Sequence, residues 1–112
     1  MQADFDDLRF TDDDGITELD YWIESYTVST YAIVWVNVTD DLGSNQIIYM
    51  YYGNSAVSTT SNGEDTFPFF DDFEDDCLDT DLWTETGFGG SYTETGGYLT
   101  VKGPSPLSLI HI

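Results

Sequence analysis

The sequence predicts an all-β chain, and three observations carry that prediction. Aromatic and β-branched residues dominate the apolar set, which favours strands over helices. Apolar residues recur with a period of two, and no stretch repeats with a helical period. Clusters of Gly, Asn and Asp interrupt the apolar runs at short intervals, as turns do. The expected architecture is a β-sandwich-like module built from hairpins, followed by a truncated second β-sandwich.

Leu8 to Thr11 reads as a short strand. Asp12-Asp13-Asp14-Gly15 is a turn, with Gly15 free to take positive φ. Thr17 to Tyr26 returns as a longer strand and closes a hairpin. Tyr31 to Val38 is strongly strand-like: Tyr31, Ile33 and Trp35 share one face, and Ala32, Val34, Val36 and Val38 the other. Both faces are apolar, so this strand is expected to be covered on both sides or to sit mid-sheet. Asp40 to Asn45 is a turn-rich connection, and Gln46 to Tyr52 is the next strand. Residues 55–66 are Ser/Thr-rich and read as a linker, with room for one turn of helix capped by Asn54. Pro68 places Phe67 to Phe70 at an edge strand or strand start. Leu82–Thr84, Ser91–Thr93 and Tyr98–Val101 are short strands punctuated by Gly87, Gly89, Gly90, Gly96 and Gly97. The domains read as 1–54, a linker at 55–66, and a second sandwich fragment at 67–106.

With 112 residues the chain has room for one small domain and a fragment of another. An aromatic content of 16% excludes disorder of the whole chain despite its charge. The 22 acidic residues face only Arg9 and Lys102, a net charge of −20. Such a surface repels nucleic-acid phosphates and anionic membrane, so neither partner is expected. No apolar run approaches the ~18 residues of a membrane span. Cys77 is the sole cysteine, so neither an internal disulfide nor a zinc ligand set can form. Its aspartate neighbours raise a thiol pKa rather than activate it.

The acids suggest three sites. Asp12-Asp13-Asp14-Gly15 has the look of a Ca²⁺ loop, but Phe10 and Tyr21 stand where an EF-hand needs acids. Glu18 and Glu24 share a strand face, yet six residues of strand span roughly 20 Å, too far for a glycosidase pair. The run from Asp71 to Asp81 is denser. Asp72, Asp75 and Asp79 are its candidate Ca²⁺ ligands, against the plainer expectation of a solvated acidic surface and no cofactor. Among the aromatics, Tyr21, Trp22 and Tyr52 are the candidates for stacking on sugars. Others of the set Tyr21, Trp22, Trp35, Tyr49, Tyr51 and Tyr52 are needed for the core.

Several segments also carry resemblances. Asp7-Leu8-Arg9-Phe10-Thr11-Asp12, Asp14-Gly15 and Leu19-Asp20-Tyr21-Trp22-Ile23-Glu24 are followed by Val34-Trp35-Val36-Asn37-Val38. Ile48-Tyr49-Met50-Tyr51-Tyr52-Gly53-Asn54 completes the set. In order and spacing they resemble the domain of unknown function 2341, seen in large prokaryotic secreted or surface proteins. Asp20 departs from it, standing where that pattern usually has proline. The resemblance implies no catalytic residues. Phe70-Asp71-Asp72-Phe73-Glu74-Asp75, Leu78-Asp79-Thr80 and Leu82-Trp83, with Gly97 to Val101, resemble the opening of a concanavalin A-like lectin/glucanase domain. Such domains often bind Ca²⁺, which the resemblance extends to the Asp71–Asp81 run. Residues 107–112 match a reading frame of a transposase mosaic-end adapter and are expected to be foreign, His111 with them. Met1 is expected to be an internal methionine.

The expected role is therefore non-catalytic: an extracellular or cell-surface module of a multidomain protein, structural or adhesive, contacting glycans or other cell-surface proteins. The alternative is an accessory module of a secreted polysaccharide hydrolase.

Overall fold

A computed structural model describes residues 1–86, 90–103 and 108–111. The expected turn glycines Gly87 and Gly89, and residues 104–107 and 112 near the expected tail, lie outside them. The described chain is all-β, apart from one helical turn, and divides into two compact units, Met1–Pro68 and Phe69–Ile112.

The first unit contains β1 (Arg9–Thr11), β2 (Tyr21–Thr27), β3 (Tyr31–Val36), β4 (Tyr49–Tyr51) and α1 (Gly63–Thr66). β2 and β3 form an antiparallel hairpin, with Trp22 opposite Trp35 and Ile23 opposite Val34. A β-bulge interrupts the register between Ile23 and Ser25, at Glu24. The expected hairpin between the first two strands is reduced to one bridge, Thr11 to Glu18, flanked by two backbone hydrogen bonds. β1 instead pairs antiparallel with β4, from Arg9 opposite Tyr51 to Thr11 opposite Tyr49. The reason is local: the Asp14 carboxylate takes Ile16 N–H, Thr17 N–H and the Thr17 hydroxyl. That turn spends the backbone groups that a ladder would need.

The two sheets share one core. Phe5, Leu8, Phe10, Leu19 and Tyr21 are buried, and Ile23, Ala32, Val34 and Val36 pack against them. The Phe10 and Tyr21 rings meet edge-on, centroids 5.3 Å apart, a geometry that adds about 0.5–1.5 kcal/mol beyond area burial. Only one face of β3 is covered. Ala32, Val34 and Val36 turn to the core, while Tyr31, Ile33 and Trp35 remain about half exposed. Two-sided cover or a mid-sheet place was expected of an apolar strand, but among the described residues β3 has β2 alone as hydrogen-bonded neighbour.

The Ser/Thr-rich segment is docked rather than free. Ser58 C=O accepts from Arg9, Ser61 Oγ accepts from Ile23 N–H, and Asn62 N–H donates to Tyr21 C=O. The helical turn lies at Gly63–Thr66, capped by Asn62 rather than Asn54. Asn62 Oδ1 accepts from Asp65 N–H, the usual N-cap service. The Asn54 side chain instead closes a two-residue turn with Ala56 N–H.

The second unit holds β5 (Trp83–Thr86), β6 (Ser91–Thr95), β7 (Tyr98–Lys102) and β8 (Ser108–His111). β6 and β7 form an antiparallel hairpin closed by Gly96 and Gly97, both at positive φ. Two successive positive-φ residues suit the twist of a tight hairpin, and glycine adopts them without strain. β5 pairs antiparallel with the backbone of β8. Phe67 to Phe70 form no strand. Between Asp71 and Asp81 the acids build turns: Asp71, Asp75 and Asp79 each accept the N–H two residues on, from Phe73, Cys77 and Asp81.

Candidate functional site

The residues that carry the family-like pattern converge on structural tasks. The Asp7 side chain is buried. Its two carboxylate oxygens accept Gln2 N–H at 2.7 Å and Gly53 N–H at 2.5 Å. Burial pushes its pKa up. The Gln2 and Gly53 N–H groups and the amino terminus outweigh that and hold it below the ordinary 3.8. Gly53 sits at φ +102, so glycine suits the turn that aims its N–H at Asp7. The bond ties the lead into β1 to the end of β4, across 46 residues.

Tyr21 is a second hub. It is 2% exposed, and its hydroxyl donates to Leu8 C=O at 2.8 Å. The same oxygen accepts from Arg9 and from the Thr60 backbone and hydroxyl. Arg9 also donates to Asp6 C=O and Leu8 C=O. A carbohydrate cannot stack on Tyr21, because its ring faces Phe10 in the core. Trp22 is half-buried against the edge of Phe67. Of the three sugar-stacking candidates only Tyr52 is open to solvent. Trp35, Tyr49 and Tyr51 are about half exposed, where some were expected in the core.

Among the grooves of the first unit, two lie beside the core and along β2. One, of about 360 Å³, is apolar and runs over the core itself, along Phe5, Leu8, Phe10, Val34, Val36 and Met50. The other, of about 480 Å³, follows β2 where the docked 58–62 segment leaves it. Its walls are polar: Asp4, Asp6, Glu24, Ser25, Thr59 and Ser61, with Tyr26 and Ile23 as the apolar part. Glu24 Oε2 accepts the Trp35 indole N–H at 2.6 Å, so the exposed indole is fixed beside the groove's carboxylate. Glu24 sits at the register shift of β2, a place where bulges often stand near sites. Glu18 lies outside β2 in the isolated bridge, so the two glutamates are not a strand-mounted pair.

Neither acidic turn forms a metal cage. Asp12 Oδ1 accepts Asp13 N–H, and Asp14 is occupied by Ile16 and Thr17. Asp40 is raised by burial and by the nearby Asp12 and Asp13 carboxylates. In the second unit Asp72 is exposed, and Asp75 and Asp79 serve different turns. Among the described residues no three Asp, Glu, His or Cys side chains stand together as a ready metal centre. Among the same residues no helix is long and apolar enough to cross a membrane.

One acid was missed from the sequence. Glu94 is 3% exposed, and neither carboxylate oxygen has a hydrogen-bond partner. Burial, then the charges of Asp71 and Asp75, push its pKa above the ordinary 4.5. The signal was available in β6: register places Glu94 opposite Leu99 and Tyr92 opposite Val101. Period two therefore puts Glu94 on the same face as three apolar residues.

Comparison with family models matches residues 4–86 to the domain of unknown function DUF2341. The match crosses the Pro68–Phe69 boundary and runs to the end of β5. No curated protein and no solved structure matches the chain.

Proposed function

The chain belongs to the DUF2341 family, and from that premise we propose that it is a non-catalytic, glycan-contacting module of a secreted or cell-surface protein. The groove along β2 carries the reading. Sugars present many hydroxyl donors and an apolar ring face. Asp4, Asp6 and Glu24 supply acceptors, Ser25, Thr59 and Ser61 supply hydroxyls, and Tyr26 supplies a half-exposed ring. A concave site of several hundred Å³ with convergent polar groups is the usual form of a small-ligand site. The net charge of −20 favours neutral or cationic ligands over anionic polymers. The second unit we read as the opening of a concanavalin A-like domain. The Phe70–Asp75 and Leu78–Thr80 segments and the Gly97–Val101 strand support this.

A glycan array probed with the full chain tests the proposal. Retention on a defined glycan class, lost in Tyr26→Ala and in Glu24→Gln with the β-sheet circular dichroism unchanged, is the expected result. Retention on no glycan would overturn the reading and leave contact with proteins as the role.

A further inference from the structure

The groove along β2 carries more charge than its neighbours neutralise. Asp4, Asp6 and Glu24 line it together, and no Lys or Arg stands among the lining residues. Arg9, the basic side chain of this unit, gives its guanidinium to neutral oxygens: the Asp6, Leu8 and Ser58 carbonyls and the Tyr21 hydroxyl. The amino terminus lies 3.6 Å from Asp7, which is outside the lining. Acceptors therefore remain open. Asp4 takes the Asp6 N–H through Oδ1, and Glu24 takes the Trp35 indole through Oε2. The second oxygen of each is left for a ligand. Donors are open too. The Thr59 and Ser61 hydroxyl oxygens accept from Ser61 N–H and Ile23 N–H, which leaves both hydroxyl protons to give.

We propose that this groove selects amino sugars, a hexosamine polymer whose nitrogens are unacetylated and protonated. The inference rests on the glycan reading of the same groove and specifies its substrate class. A neutral sugar would cover the carboxylates without countering their charge, and desolvating an uncompensated charge is costly. A uronate would add repulsion. A metal ion does not fit, because among the described residues these acids do not stand together as a ligand group. Carboxylates set apart in one groove suit a ligand that repeats its charge along a chain. The half-exposed Tyr26 ring, packed edge-on against Phe5 with centroids 6.0 Å apart, offers a wall for the sugar ring or its ammonium.

Calorimetric titration of the full chain with two pentamers of one linkage, glucosamine and N-acetylglucosamine, tests the proposal. At about pH 6 the carboxylates are ionised and the sugar amines are protonated. The glucosamine pentamer should bind about tenfold more tightly, and added salt should narrow the gap. Glu24→Gln keeps an acceptor for the Trp35 indole. It and Asp6→Asn should each weaken the glucosamine pentamer about threefold and leave the acetylated one unchanged. Tyr26→Ala should weaken both. Equal binding of the two pentamers, lost in Tyr26→Ala, would overturn the amino-sugar assignment and keep the glycan groove. Binding of neither would overturn the assignment, and the glycan array then decides the groove separately. Penta-lysine bound as tightly as the glucosamine pentamer would show attraction to charge alone, and would overturn the assignment as well.

Discussion

Asp7 and Glu94 are both buried carboxylates, one in each unit, and they stand in opposite situations. Asp7 meets two backbone N–H donors. Glu94 makes no hydrogen bond of full geometry, has only the Cys77 N–H near it as a donor, and faces Asp71 and Asp75. Their pKa values move in opposite directions for that reason. Burial alone does not decide whether an acid supports a fold; the donors placed around it do. Asp7 is a clamp that the first unit needs, and Glu94 is a charge that the second unit tolerates.

Substitutions can break this contrast. The largest effect is expected from Asp7→Ala, which leaves the Gln2 and Gly53 N–H groups without their acceptor and removes the tie between the lead into β1 and the end of β4. Thermal unfolding followed by circular dichroism should show a lowered midpoint for the first unit. Tyr21→Phe removes the hydroxyl that joins Leu8, Arg9 and Thr60, and should cost about 1–3 kcal/mol in a denaturant titration. Gly53→Ala forces a side chain to φ +102 and should cost about 1–3 kcal/mol in the same assay. Glu94→Gln reverses the sign: the second unit should become modestly more stable at neutral pH, without added cation.

The pH dependence sharpens the comparison further. The folded pKa of Asp7 lies below 3.8, so its support is fully present above that value and is lost as pH falls through the folded pKa. The folded pKa of Glu94 lies above 4.5, so its penalty is fully present above the folded pKa and is relieved as pH falls towards 4.5. Acidification from neutral pH to about 4.5 should thus stabilise the second unit of the wild type more than that of Glu94→Gln. The Glu94→Gln reference cancels the general relief of acidic self-repulsion.

Much of the fold class was legible because β-branched and aromatic alternation and glycine turns are local signals. The strands of β2, β3, β6 and β7 follow from them, though not their pairing. The β1–β4 pairing was not legible, since it joins segments some 40 residues apart. Periodicity says that a strand exists and not which strand it meets. The same limit explains β3: YAIVWV is apolar on both faces, but how many neighbours cover it depends on distant chain. The Ser/Thr-rich segment looked like a linker because its bonds to Arg9, Tyr21 and Ile23 are made largely by backbone and hydroxyl groups. Hydrophobicity patterns do not register these groups. Tyr21 and Tyr52 are the same residue type in aromatic surroundings, yet one is a buried hub and the other is exposed. Glu94 was hidden because a strand acid is ordinarily read as facing water.

The most direct measurement is a carboxyl-detected NMR titration of the full chain, with Asp7 and Glu94 assigned through Asp7→Asn and Glu94→Gln. Asp7 should titrate below 3.8 and Glu94 above 4.5. A Glu94 midpoint at or below 4.5 in cation-free buffer would contradict the account, because donors would then surround it as they surround Asp7.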